Sequence, residues 1–195
     1  MGATKLLTAS GGGVTLQAAD TATDKTLTLP AVTDTVLTQT TNVTSGTAVA
    51  STSGTSIDFT SIPSWVKRIT VMFSEVSLSG TSNYLIQIGN AGVENTGYIS
   101  TYNIQDSSGG FGGSSSTAGF IVGNTLAAMV CSGKVELTLL NGNSWVSCGV
   151  FKNDTTRMQT NAGSKTTSNT VTNLRITTVN GTDTFDAGSI NILYE

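Results

Sequence analysis

The stretch Trp65–Leu78 constrains the fold of this chain more than any other, because its apolar residues recur at every second position. Ile69, Val71 and Phe73 fall on one side of an extended chain and alternate with Arg68, Thr70 and Met72 on the other side. That alternation is the pattern of a half-buried β-strand. An amphipathic helix would need apolar residues three and four positions apart, so the stretch predicts a strand.

A change of phase inside this strand predicts a local irregularity. After Phe73 the apolar positions move by one residue, to Val76 and Leu78. The side chains of a strand alternate strictly between two faces, so such a shift requires one extra residue in the strand. We therefore expect a β-bulge near Ser74–Glu75.

The remainder of the chain repeats the strand pattern in short runs separated by turn residues. Only 11% of the 195 residues are charged, and the composition is rich in Thr, Ser, Asn and Gly, with 22 Gly and 2 Pro. Thr and Val favour strands, whereas Gly, Asn and Ser favour turns. The sequence therefore predicts an all-β fold, most simply a jelly-roll-like β-sandwich.

Composition also divides the chain into segments. Residues 1–39 contain short strand-like pieces at Val14–Gln17 and Lys25–Leu29, which are too few to bury a core in water. Residues 40–47 are polar and predict a linker. Residues 48–195 contain all the aromatic residues and predict the β-sandwich. We expect residues 1–10 to form a loose or docked end.

A clear hairpin is predicted between Gly133 and Val150. Asn141-Gly142 is a strong signal for a two-residue type I′ turn, which needs positive φ at both positions. With that turn the inward face would carry three cross-strand pairs. They are Leu139 with Ser144, Leu137 with Val146 and Val135 with Cys148.

Four aromatic residues are candidates for an exposed contact. The predicted hairpin places Trp145 on its polar face, where it either covers that face beneath a loop or contacts a subunit or ligand. Tyr98, Tyr102 and Phe111 complete the set, because sugars stack on aromatic faces. The run Asp106–Gly119 is rich in Gly and Ser and predicts a flexible surface loop, or a loop that orders only against a partner.

The residue types argue against the common catalytic sites. The chain contains no histidine, which excludes Ser-His-Asp, Cys-His and histidine-zinc sites. Gly109–Gly113 lacks the lysine and helix of a phosphate-binding loop. Neither Asp183 nor Asp186 stands in a calcium-loop pattern, and the same holds for turn acids nearer the N-terminus. The remaining candidates for a catalytic acid pair resemble ordinary surface acids: Glu75, Glu94, Asp106, Glu136 and Asp154. We expect no enzymatic activity and no cofactor.

Charge and cysteine content limit the environment and the partners. The 12 acidic and 9 basic residues give a net charge of −3 without a basic stripe, so nucleic acid is not an expected partner. No apolar run reaches membrane-spanning length, and Met1–Leu7 lacks the apolar core of a signal peptide. Cys131 and Cys148 are expected as half-buried free thiols of a reducing cytosol, with a disulfide as the alternative.

Two stretches resemble segments of tailed-bacteriophage virion proteins. The first follows a pattern of three short strands, at Gly13–Leu16, Thr26–Pro30 and Thr35–Leu37. In those proteins such a segment precedes a fibre, spike or decoration domain. The second comprises Thr52–Gly89 and Phe185–Glu195, and is similar to a C-terminal β domain of phage fibre-like proteins.

The resemblance implies a non-enzymatic structural protein of the virion that is assembled in the host cytoplasm. A capsid decoration, cement or head-fibre protein is the first expectation, with a homotrimer as its assembly and the major capsid protein or another virion protein as its partner. The alternative is a tail-fibre adhesin that recognises a host surface glycan. Attachment would use the apolar residues of the N-terminal segment: Val14, Leu16, Leu27, Leu29, Val36 and Leu37.

Overall fold

The computed structural model describes residues 43–195 and the backbone of two short strands before them, β1 (Thr4–Leu7) and β2 (Gly13–Leu16). The chain divides into two compact units, Met1–Val36 and Leu37–Glu195. In the first unit β1 pairs antiparallel with β2. β2 coincides with a predicted strand, whereas β1 lies in the stretch expected as a loose end. The strands predicted at 25–29 and 35–37 lie outside the described residues.

The described part of the second unit, residues 43–195, contains thirteen further strands, most of them six residues or longer. Their bounds are β3 (Thr44–Ser45), β4 (Val49–Ala50), β5 (Ile57–Phe59), β6 (Arg68–Leu78), β7 (Tyr84–Gly89), β8 (Tyr98–Asp106), β9 (Phe111–Ser116), β10 (Phe120–Val122), β11 (Cys131–Asn141), β12 (Ser144–Asn153), β13 (Arg157–Thr166), β14 (Asn173–Thr178) and β15 (Phe185–Tyr194).

These strands form two antiparallel sheets, as an all-β sandwich requires. The larger sheet has the order β3-β15-β6-β11-β12-β13-β8-β9, with β4 also paired to β15, and the smaller has the order β10-β7-β14-β5. Successive strands cross repeatedly from one sheet to the other. Residues 43–195 contain no helix, so none of them belongs to a helix that could cross a membrane. The predicted all-β, jelly-roll-like sandwich is confirmed for this unit.

The core lies between the two sheets and is rich in aromatic contacts. Phe73 on β6 packs edge-on against Tyr84 of β7 and against Phe151 of β12, with ring centroids 5.4 Å apart in each pair. Tyr98 and Phe120 form a similar pair at 5.0 Å. The inward positions predicted for β6 are confirmed, since Ile69 and Val71 are fully buried.

The predicted bulge in β6 is present. Cys131 pairs with Val76 and Gly133 pairs with Phe73, so β6 uses three steps where β11 uses two. Glu75 takes the strained left-handed conformation with a φ of 55°. Its backbone N–H donates to Ser132 Oγ at 2.9 Å, which stabilises the bulge. The extra residue restores Val76 and Leu78 to the buried face.

The predicted register of the hairpin between β11 and β12 is wrong by one residue. Leu139 pairs with Trp145 and Asn141 with Ser144, which leaves Leu140 as an extra residue on β11. The turn is formed by Gly142 and Asn143, and Gly142 has a φ of 51°. A shift of one residue turns every side chain of β12 to the opposite face. As a result Trp145 is buried, while Val146 and Cys148 are exposed.

β13 is a strand that the alternation of apolar residues did not predict, because its inward side chains are polar. Gln159, Asn161 and Lys165 are buried, whereas Met158 on the outer face is 60% exposed. Gln159 Oε1 accepts from Gly123 N–H at 2.7 Å, and Gln159 Nε2 donates to Gly123 O at 3.0 Å. These bonds satisfy buried polar groups and hold the segment after β10 against β13.

Two segments expected to be irregular contain strands. The stretch 106–119, predicted as a flexible loop, contains β9, which pairs with β8 along its full length. Small residues adopt an extended edge strand here because every position of β9 has a partner on β8. Within the predicted linker at 40–47, Thr44–Ser45 pairs with the end of β15. Residues 40–42 lie outside the described part.

Candidate functional site

Only one of the four candidate contact aromatics is exposed. Phe111, at the start of β9, is 72% exposed, whereas Tyr98, Tyr102 and Trp145 are buried. The prediction that these three form an exposed contact is therefore wrong. Each occupies an inward position on its strand, and the Tyr98 hydroxyl donates to the carbonyl oxygens of Ile88 and Glu94.

The structure does not describe the burial of the predicted attachment residues. Val14 and Leu16 lie on β2, which pairs with β1. Leu27, Leu29, Val36 and Leu37 lie outside the described residues. Their role in attachment stays a prediction.

Phe111 lies at one end of the large sheet, beside two adjoining clefts. The larger cleft has a volume of about 370 Å³ and the smaller about 160 Å³, and both are lined by Asp106 and Arg157. Phe111 lines the smaller cleft and Met158 the larger. Since Gln105 pairs with both Phe111 and Met158, these two exposed apolar side chains share the outer face of the sheet, two strands apart.

Asp106 gives this end of the sheet its shape. Its Oδ1 accepts hydrogen bonds from Ser108 N–H at 2.9 Å, from Ser108 Oγ at 2.6 Å and from Gly110 N–H at 2.9 Å. These bonds, led by the one from the Ser108 hydroxyl, hold the pKa of the Asp106 carboxyl below its ordinary value. The turn between β8 and β9 is thus fixed by a charged acceptor.

A second loop completes the clefts. Ser107 N–H donates to Thr156 O at 2.8 Å and so ties the β8–β9 turn to the turn between β12 and β13. Arg157 lies 3.6 Å from Asp154, whose carboxylate accepts from Val130 N–H at 3.0 Å. The surface therefore combines a guanidinium group, carboxylates, hydroxyl groups and an exposed phenyl ring. Such a mixture can bind a polar ligand that has one apolar face.

The carboxylates of the second unit serve the fold. Asp58 pairs with Arg175, Glu94 with Lys165, and Glu195 with Arg68. Asp183 accepts from Ser82 N–H, and Asp186 accepts from the Ser77 hydroxyl. Among the described residues no group of acids or cysteines could hold a metal ion.

The two cysteines differ in environment. Both are free, as predicted, but they are not alike in burial: Cys131 is fully buried and Cys148 is exposed on the outer face of β12. Burial raises the pKa of the Cys131 thiol to about 12, and nearby Asp154 acts in the same direction. Cys131 is therefore a packing residue, not a nucleophile.

Arg157 and Met158 are the parts of this surface that the sequence did not indicate, because β13 itself was not predicted. A search for similar proteins among family models, curated proteins and solved structures found no match.

Proposed function

We propose that this chain is a non-enzymatic structural component of a tailed-bacteriophage particle, a capsid decoration, cement or head-fibre protein attached through its N-terminal segment. The observation that carries the proposal is the division of the chain into two compact units. The described core is drawn from residues of the second unit, between Ile57 and Ile192. In this proposal the first unit, which resembles phage anchoring segments, contacts other chains.

The carboxylates support a structural role. In residues 43–195 the acidic side chains close turns, pair with basic residues or accept hydrogen bonds at the bulge. Side chains that satisfy the fold in this way are poorly placed to act as a catalytic acid and base. The partners that we propose are sister chains, as a homotrimer, and the major capsid protein or another virion protein.

Particle binding tests the proposed attachment. We expect full-length protein to bind phage particles, and a chain that begins at Val43, which keeps β3, to fold without binding them. The full-length double variant Leu27→Ser/Leu29→Ser should bind at least about tenfold more weakly, a loss of about 1.4 kcal/mol. The matched control Thr26→Ser/Thr28→Ser should bind as the unaltered protein does. Binding by the shortened chain would refute attachment through the N-terminal segment.

A second candidate is recognition of a host surface glycan by a tail-fibre adhesin. The cleft beside Phe111 favours it, since a phenyl ring can stack on a sugar face while Asp106, Arg157 and nearby hydroxyl groups bond to its hydroxyls. A glycan array measured with the purified full chain tests this. Phe111→Ala should abolish any signal, and Ile99→Ala, an equally exposed change away from the clefts, should leave it unchanged. An array without binding removes this candidate.

A further inference from the structure

Among the described strands, β9 forms an edge of the large sheet that is unlike the other edges of the two sheets. β9 is six residues long, and five of its residues are exposed. The opposite edge of the large sheet is broken into β3 and β4, of two residues each. The edges of the small sheet are the three-residue strands β5 and β10. Short strands are one way in which proteins prevent sheets from joining edge to edge, and β9 lacks this protection.

The composition of β9 also lacks the usual protection. Its sequence, Phe-Gly-Gly-Ser-Ser-Ser, contains no charged residue and no proline, which are the residues that typically block an edge. Among the described strands only β8 pairs with it. Asp106 fixes the turn that precedes it, so the strand is held extended before any partner arrives.

The hydrogen-bond pattern defines which groups face outward. Asp106 N–H donates to Gly110 O, so the backbone groups of these two residues face each other across the hairpin, at a position of the hydrogen-bonded kind. In an antiparallel ladder such pairs alternate with pairs that exchange no bonds. Gly112 and Ser114 therefore bond to β8, while the N–H and C=O groups of Phe111, Gly113 and Ser115 point away from the sheet.

We propose that two copies of this chain associate by antiparallel pairing of β9 with β9, which continues the large sheet from one copy into the other. A two-fold axis through Gly113 brings Gly113 of each copy together and sets Phe111 opposite Ser115 of the second copy. All outward backbone groups of both strands are then paired. No like charges meet, because the strand has none, and Gly113 carries no side chain at the axis.

The proposed partner of β9 is a second copy of this chain, because β9 is complementary to itself in this register. Glycine at the axis allows close approach of two backbones, and the small Ser115 leaves room beside the 72% exposed ring of Phe111. Self-association through matched surfaces of this kind gives a closed two-fold interface, which is separate from the homotrimer contact proposed for the N-terminal segment.

Hydrogen exchange of the full chain tests the pairing directly. We expect the amides of Phe111, Gly113 and Ser115 to become protected as protein concentration rises, in step with the mass found by sedimentation. The amides of Gly112 and Ser114 should be protected at every concentration, because they bond to β8. An assembly formed through another surface would raise the mass and leave the three outward amides unprotected, which overturns the proposal.

Two variants and a control complete the test. Ser115→Pro removes an outward N–H without touching the bonds to β8, and proline is tolerated on an edge strand in that position. Ser115→Lys adds a charge to the edge. Each should raise the dissociation constant at least about tenfold, while Thr160→Lys, on the same face but in the middle of the sheet, should not change it. Equal association by all three variants would overturn the proposal, provided that Gly112 and Ser114 stay protected.

Discussion

Lys165 Nζ lies 2.5 Å from a carboxylate oxygen of Glu94, although only 6% of the lysine side chain is exposed. The ammonium group also donates to Thr96 O at 2.9 Å and lies 5.2 Å from the centre of the Tyr98 ring. A charge this deeply buried is stable only with such partners. The pair therefore joins β13 to the segment between β7 and β8.

Removal of the carboxylate charge should cost more than removal of the lysine. Glu94→Gln leaves a buried ammonium group without its counter-ion, and we expect a loss of about 2 kcal/mol in the free energy of unfolding. Lys165→Met keeps the aliphatic stem and should cost less than about 1 kcal/mol, since Glu94 is partly exposed and keeps its bonds from Ser168. Urea denaturation measures both. A larger loss for Lys165→Met would contradict this account.

The same pair should make stability depend on pH in the acid range. Burial acts to raise the pKa of Glu94, but hydrogen bonds from Lys165 and Ser168 outweigh it and lower the pKa from its ordinary value of 4.5. A carboxyl with a lowered folded pKa stabilises the protein fully above its unfolded pKa, and that contribution is lost as pH falls through the folded pKa. Unfolding free energies measured below pH 5 should therefore fall less steeply for Glu94→Gln than for the unaltered chain.

Much of the sandwich follows from the sequence, since β6 and β15 carry apolar residues at alternate positions and β7 and β10 are short apolar runs. β13 does not, because its buried inward positions include Gln159, Asn161 and Lys165. Gln159 bonds to Gly123 and Lys165 pairs with Glu94, whereas the buried side-chain amide of Asn161 has no hydrogen-bond partner among the described residues. On β13 the usual arrangement is reversed, because polar side chains lie on the inner face and the apolar Met158 lies on the outer face. Alternation alone cannot identify a strand whose buried face is polar.

The candidate surface was predicted in part. Phe111 was identified, but the turn signal Asn141-Gly142 gave the wrong register for β12, and that placed Trp145 on the outside. The extra residue at Leu140 depends on how the hairpin packs, not on the two turn residues. Tyr98, Tyr102 and Ile104 share one face of β8, and that face is buried.

The observed register of β12 predicts opposite outcomes for two adjacent residues. Trp145 is 3% exposed, so Trp145→Ala should reduce the free energy of unfolding by about 3–5 kcal/mol. Val146 is 40% exposed on the other face, and Val146→Ala should cost less than about 1 kcal/mol. The register predicted from the sequence would reverse this order. Denaturation of the two variants side by side distinguishes the registers.

The thiols should react at very different rates. Cys148 is exposed and should be labelled by a thiol reagent in the native protein, whereas Cys131 is fully buried with its pKa raised to about 12. We expect one fast label per chain at neutral pH and a second only in denaturant. Cys148→Ser should abolish the fast label, and Cys131→Ser should not. Fast labelling of both cysteines in the native state would contradict the described burial.

Gly188 is a glycine with a positive φ that should tolerate no other residue without a loss of stability. Its φ is 89°, and a Cβ atom there would lie 2.4 Å from the carbonyl oxygen of Glu75, inside the bulge of β6. Gly188→Ala therefore adds a backbone clash to the cost of the left-handed conformation, and we expect a loss of about 3 kcal/mol in the free energy of unfolding. Gly181 has a φ of 68° with open space around it, so Gly181→Ala is the matched control and should cost only about 1 kcal/mol. Thermal or urea denaturation measures both losses. Equal losses for the two variants would show that the bulge can move away from the added methyl group. The close contact between the bulge and β15 would then not limit position 188.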